Sequence, residues 1–148
     1  MTITVRADYD ITPARLWELV EPIERHVEWM GDAESIDFTS TQRRGVGTRF
    51  ICVTKIGPIR MRDRMSITVW EPEQRMGVRH EGLVTGSGVF VLEPIDGGRR
   101  TRFAWTEELT PRWWLGGALG ERLVLRHVLG WIWRRNLKRL RRVVERSR

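Results

Sequence analysis

The C-terminal third constrains this chain most. From Glu121 to Arg146 there is no proline and one glycine, Gly130. Leu119, Leu123, Trp133, Leu137, Leu140 and Val144 recur at helical spacing, with Leu125, Val128, Leu129, Ile132 and Val143 beside them. They form a wide apolar stripe on one helical face, while Arg134, Arg135, Lys138, Arg139, Arg142 and Arg146 take the other. Thr110-Pro111 reads as an N-cap followed by proline at the first helical position, so the helix is expected over about 111–146. A helix over Glu121–Arg146 would be about 39 Å long at a rise of 1.5 Å per residue. It cannot bury its stripe alone, so the residues before it must supply a complementary apolar surface.

Those residues read as strands. Thr2–Tyr9 alternates, with Ile3, Val5 and Ala7 on one side. Thr12-Pro13 opens a short helix to Val20, and Pro22 a second helical turn ending near Gly31. Strands follow at Ile36–Thr39, Thr48–Lys55, Ile59–Trp70, Met76–Glu81, Gly86–Leu92 and Arg99–Leu109. Turns at Gly45–Gly47, Gly57-Pro58 and Gly97-Gly98 separate several of them. In Ile59–Trp70, Arg60, Arg62 and Arg64 face one way and Met61, Met65 and Ile67 the other; Asp63 falls on the apolar side. The order is one strand, two short helices, six strands and one long helix. This is an α+β chain, a curved seven-stranded antiparallel sheet against a C-terminal helix, read as one domain over 1–148.

Charge is unevenly placed. Of 26 Lys and Arg and 19 Asp and Glu, eight of the former and one of the latter lie in 134–148. The rest of the chain is balanced, so the net charge of +7 belongs to the end of the helix. A solvated helix face is the plainest reading. Docking to an anionic membrane surface through Trp113, Trp114, Arg135 and Arg139, with Trp131 and Trp133, is an alternative. Nucleic acid is disfavoured, because no aromatic or glycine-rich RNA-binding motif accompanies the charge. Spanning is disfavoured too: within 113–133, Glu121, Arg122 and Arg126 would each cost about 2.5–3.5 kcal/mol at a bilayer centre. A lone cysteine, Cys52, and no signal-peptide pattern point to a cytoplasmic setting, with association at the inner membrane surface as the variant.

Several segments resemble the START-like superfamily, also called SRPBCC, and its polyketide cyclase/dehydrase group. Ile11-Thr12-Pro13-Ala14-Arg15-Leu16-Trp17 is similar to the family's opening helix, and Pro22 to Trp29 to its second short helix. Gly45-Val46-Gly47-Thr48 is similar to its glycine turn, and Trp70-Glu71-Pro72 with Gly97 to Leu109 to its late turn and last strand. The resemblance implies a helix-grip fold, in which the sheet wraps around the C-terminal helix and leaves an apolar cavity. It implies binding of a lipid-like, polyketide or other hydrophobic small molecule, and no single reaction, since members include cyclases, dehydratases and carriers.

On the presumed cavity side stand Phe50, Met61, Met65, Met76, Val78, Phe90, Phe103 and Trp105, an adaptable apolar wall that would equally fill a solid core. Asp63, His80 and Glu107 are the acid–base candidates there. Asp63 lies among methionines, where its charged form is disfavoured unless an arginine or solvent reaches it. His80 fits a hydrogen-bonded core or rim position equally well. Glu107, followed by Glu108 near a strand end, is expected to face solvent. His26, His80 and His127 have no ligand spacing, and neither a metal cluster nor a phosphate loop appears, so no metal or cofactor is expected. A monomer and a homodimer are equally compatible with the sequence.

Overall fold

The computed structural model describes residues 1–82, 84–111 and 119–148, with backbone alone at 111 and 119–121. Seven strands form one open antiparallel sheet: β1 (Thr2–Tyr9), β2 (Ala33–Phe38), β3 (Arg49–Ile56), β4 (Ile59–Glu71), β5 (Arg75–Glu81), β6 (Val84–Ile95) and β7 (Arg100–Pro111). Their spatial order is β1-β7-β6-β5-β4-β3-β2. Consecutive strands from β2 to β7 are neighbours, while β1 and β2 form opposite edges. Between them the chain passes through helix α1 (Pro13–Val20) and a 3-10 turn (Ile23–Glu28).

Local chemistry accounts for these elements. The Thr12 hydroxyl accepts the Arg15 N–H at 3.3 Å and Pro13 occupies the first helical position, so α1 starts where the sequence signals it. Its buried side chains are Leu16, Trp17 and Val20. Gly45 and Gly47 take φ of 85° and 96°, a left-handed backbone that side chains with a Cβ resist. Register shifts at Ala33/Ser35 and Ile67/Val69 are bulge positions, which bend a sheet.

The long helix α2 (Leu119–Arg146) lies against this sheet. Its buried apolar residues are Leu129, Trp133, Leu137, Leu140, Val143 and Val144. The Trp133 ring stacks on that of Trp105 at 5.1 Å. The Tyr9 hydroxyl donates to the Leu137 carbonyl at 2.7 Å, and Asn136 accepts the Gly31 N–H and donates to Asp32. These contacts fix the helix's position along the sheet as well as its rotation.

Two expectations about this region are corrected. Thr110-Pro111 does not cap a helix: both residues end β7, with Thr85 opposite Thr110 and Val84 opposite Pro111. A proline is tolerated at a strand end because no ladder N–H is required there. The apolar stripe is also buried only from Leu129 onward. Leu123 and Val124, on the turns before it, are 51% and 63% exposed, and Trp131, on the helix's outer face, is 55% exposed. Trp113 and Trp114 lie outside the described residues.

Candidate functional site

Alternation along the central strands aims one set of side chains at α2. Registers then decide which of them meet. Cys52 on β3 lies opposite Asp63 on β4, and Met65 on β4 opposite His80 on β5. On β6, Gly86 lies opposite His80 and Gly88 opposite Glu107 of β7. His80 and Glu107 are thus on strands separated by β6, which would ordinarily keep them roughly 9–10 Å apart at about 4.8 Å per strand. Glycine at position 88 clears the way for the carboxylate, and the His80 Nε2 lies 2.8 Å from Glu107 Oε2. A Cβ on Gly88 would stand 2.3 Å from Glu107 Oε1, so residue 88 must be glycine for the carboxylate to lie there. A Cβ on Gly82 would likewise fall 1.7 Å from Asp63 Oδ1.

Glu107 does not face solvent. It is 4% exposed, and the indole N–H of Trp105 donates to its Oε1 at 2.8 Å. The strand-end reading fails because β7 continues four residues beyond it. Burial pulls the His80 pKa down, but the Glu107 hydrogen bond and charge, with the charge of Asp63, outweigh that and raise it above the ordinary value. The result is a hydrogen-bonded pair in which Glu107 is buried and His80 half-buried, with the carboxylate held from two sides by His80 and Trp105. Asp63 is buried close by.

Two adjoining chambers meet at this pair. One, of about 80 Å³, runs toward Phe50, Met76, Val78 and Phe90. The other, the lower chamber, of about 120 Å³, runs toward Met61 and Asp63 of β4 and toward Leu129 and Trp133 of α2. Met30, Cys52, Met65, His80, Trp105 and Glu107 border both. Seven of the eight apolar residues singled out from the sequence therefore line one chamber or both. Phe103 lines neither: it is fully buried, edge-on to Tyr9 and Trp29.

Three lining residues were not legible as such. His26 is fully enclosed, with its Nε2 donating to the Val20 carbonyl at 2.7 Å, and burial pushes its pKa down to about 4. Cys52 borders both chambers, and burial pushes its thiol up to about 11, which leaves it protonated and unreactive near neutrality. Trp133 was placed on the helix stripe but also among membrane-facing tryptophans; it is buried under Trp105. The signal for the His80–Glu107 contact is Gly88, a glycine inside a strand. Among the described residues, no three His, Cys, Asp or Glu side chains converge as metal ligands, and no helix is long and apolar enough to cross a membrane. Arg135 and Arg139 lie on the outer surface of α2, away from both chambers.

Comparison with known proteins agrees with this architecture. No curated protein matches the sequence. Among solved structures, TTHA0849 from Thermus thermophilus is similar with a TM-score of 0.81 at 21% identity, covering 99% of each chain. The Zhui aromatase/cyclase from Streptomyces matches with a TM-score of 0.81 at 14% identity, over 99% of this chain and 94% of that one. A START superfamily protein from Mycobacterium smegmatis matches with a TM-score of 0.81 at 10% identity, over 99% of each. At these identities the likeness is one of fold, the START-like helix grip. The profile of the family described as polyketide cyclase / dehydrase and lipid transport matches residues 1–145, and the chain belongs to that family.

Proposed function

We propose that this member of the polyketide cyclase/dehydrase and lipid transport family binds a small hydrophobic molecule between its sheet and α2, with one polar group of the ligand at His80 and Glu107. The observation that carries this reading is the contrast within the cavity. Its walls are mostly Met, Phe, Val, Leu and Trp side chains, and the hydrogen-bonded His80 and Glu107 lie where the chambers meet, with Asp63 and Asp32 in one chamber and His26 in the other. Apolar walls with a few convergent polar groups are the usual make-up of a ligand site. Each chamber, of about 80 and 120 Å³, is smaller than the cavity of about 150 Å³ that accommodates benzene, but the two joined suit one or two rings or a short chain. The test is native mass spectrometry of the purified protein, followed by titration with 1-naphthol and naphthalene. A bound apolar species, and tighter binding of the naphthol that disappears in His80→Leu, are expected. An empty protein that takes neither compound would overturn the reading.

A second reading, acid–base catalysis on the bound molecule, is favoured by the 2.8 Å contact between His80 and Glu107. Such a pair gives a proton to, or takes one from, a group placed beside it, as loss of water from a β-hydroxy ketone requires. His80→Gln and Glu107→Gln should then retain ligand but lose turnover; unchanged turnover in both would remove it. Contact of α2 with an anionic lipid surface finds support in exposed Leu123, Val124 and Trp131 on the helix that carries the excess cations. Vesicle sedimentation with and without anionic lipid checks it.

A further inference from the structure

We infer that the ligand is an amphiphile with an anionic head, carboxylate or phosphate, which lies in a surface groove between the β3–β4 hairpin and α2 while the apolar part passes Ile56 into the lower chamber. This rests on the cavity reading above and adds an entrance and a ligand class to it.

The groove holds about 350 Å³. Lys55 and Gly57 of the hairpin border it on one side, and Trp131, Arg135 and Arg139 of α2 on the other. Asp32 and Ile56 line both this groove and the lower chamber, so the two spaces lie back to back across those two side chains. A molecule with its head in the groove needs only displacement of Ile56, at the end of β3, to reach the interior.

The charge of the groove fits an anion. Lys55, Arg135 and Arg139 are exposed, and none forms an ion pair with a described residue. Some surface arginines are engaged by acids, as Arg60, Arg75, Arg79 and Arg102 are, each with a carboxylate within 3.0 Å; what sets the groove apart is that its three cations border one concavity. The groove's two guanidinium groups are nonetheless positioned. Arg135 lies over the Trp131 ring, 4.8 Å from its centroid. Arg139 lies over Gly31, where a Cβ would come 2.0 Å from Nη1. One acid faces the groove, Asp32, and its Oδ1 already accepts from Asn136 Nδ2 at 2.7 Å. Three cations against one engaged carboxylate leave a positive site, and guanidinium forks match the oxygens of carboxylates and phosphates. Val128, Trp131 and Ile132 supply an apolar wall for the first methylenes. The polar group met by His80 would lie further along the same molecule.

The experiment is calorimetric titration with decanoate, decyl phosphate and decanol, each below its aggregation concentration, on the wild type and on Arg135→Glu/Arg139→Glu. Both substitutions are at exposed positions, so the variant should fold. One charge-assisted contact of about 1.5–3 kcal/mol corresponds to roughly 10- to 100-fold in affinity. We expect at least one anion to bind about tenfold or more tighter than decanol, with the tighter of the two naming the head group. The double variant should lose that preference and keep the wild-type affinity for decanol. If all three bind alike, or the preference survives in the variant, the groove assignment is overturned while the cavity stands. If none binds, both fall.

Discussion

His26 and His80 border the same chamber, and their surroundings give them opposite properties. His26 sits on the 3-10 turn among the rings of Trp29 and Phe90, and its hydrogen-bonding partner is a backbone carbonyl. A carbonyl only accepts, so that nitrogen carries hydrogen, and burial keeps the ring neutral with a pKa of about 4. His80 is largely enclosed too, but it faces a carboxylate that reaches it past Gly88, and its pKa is raised. Burial alone therefore makes a histidine structural. Burial beside an acid favours a histidine that holds a proton at the cavity wall.

The largest expected effect comes from removing the acid that distinguishes them. Glu107→Leu leaves His80 and the Trp105 indole N–H without their acceptor, and breaking a buried pair of this kind costs about 3–5 kcal/mol. Glu107→Gln keeps an acceptor and should cost less, while burial then dominates at His80 and brings its pKa below the ordinary 6.5. Denaturant unfolding checks the first and NMR titration of the His80 ring the second. A His80 titration unmoved by Glu107→Gln would mean that the comparison with His26 has another cause.

His26 supplies the next largest effect. Its folded pKa of about 4 lies below the unfolded 6.5, so the unfolded state binds the extra proton between those values. Stability from this group is complete above pH 6.5 and falls as pH drops toward 4, by about 3 kcal/mol at 1.36 kcal/mol per pKa unit. His26→Gln, which cannot titrate, should show a correspondingly flatter dependence. Parallel curves for the two proteins would contradict it. Gly88→Ala should follow in size, at about 1–3 kcal/mol for a methyl forced against the Glu107 carboxylate, with a changed His80 titration as its signature.

The sequence discloses the parts of this site that depend on period, and conceals those that depend on register. Alternation places Met61, Asp63, Met65, Met76, Val78 and His80 on one face, because strand side chains alternate whatever their neighbours do. The distance between His80 and Glu107 needs the pairing of three strands, and the two are 27 residues apart in the chain. One ambiguous signal, at the end of β7, accounts for most of the difference at Glu107. Thr110-Pro111 looks like a helix start, which ends β7 too early, and an early end turns Glu107 into a solvent-facing rim residue. The same logic limits the helix stripe: spacing shows that Leu123 and Trp133 are apolar on related faces, but only the extent of the sheet leaves one bare and buries the other.

The smallest effect is also the one that separates the two histidines most directly, because its sign is reversed. The folded pKa of His80 is raised, so the stability gained from its protonation is present below the unfolded 6.5 and is lost as pH rises through the folded value. Burial opposes the raise, so the amplitude should be less than that at His26. The wild type and His80→Gln should therefore diverge in stability on the acid side and converge toward alkaline pH, whereas the wild type and His26→Gln do the reverse. Unfolding curves at four or five pH values from about 4 to 9 bracket both pKa ranges. If the His80 pair diverges toward alkaline pH instead, the ring is neutral in the folded protein, Glu107 is only a hydrogen-bond acceptor, and the site keeps its polar recognition but loses its claim to acid–base chemistry.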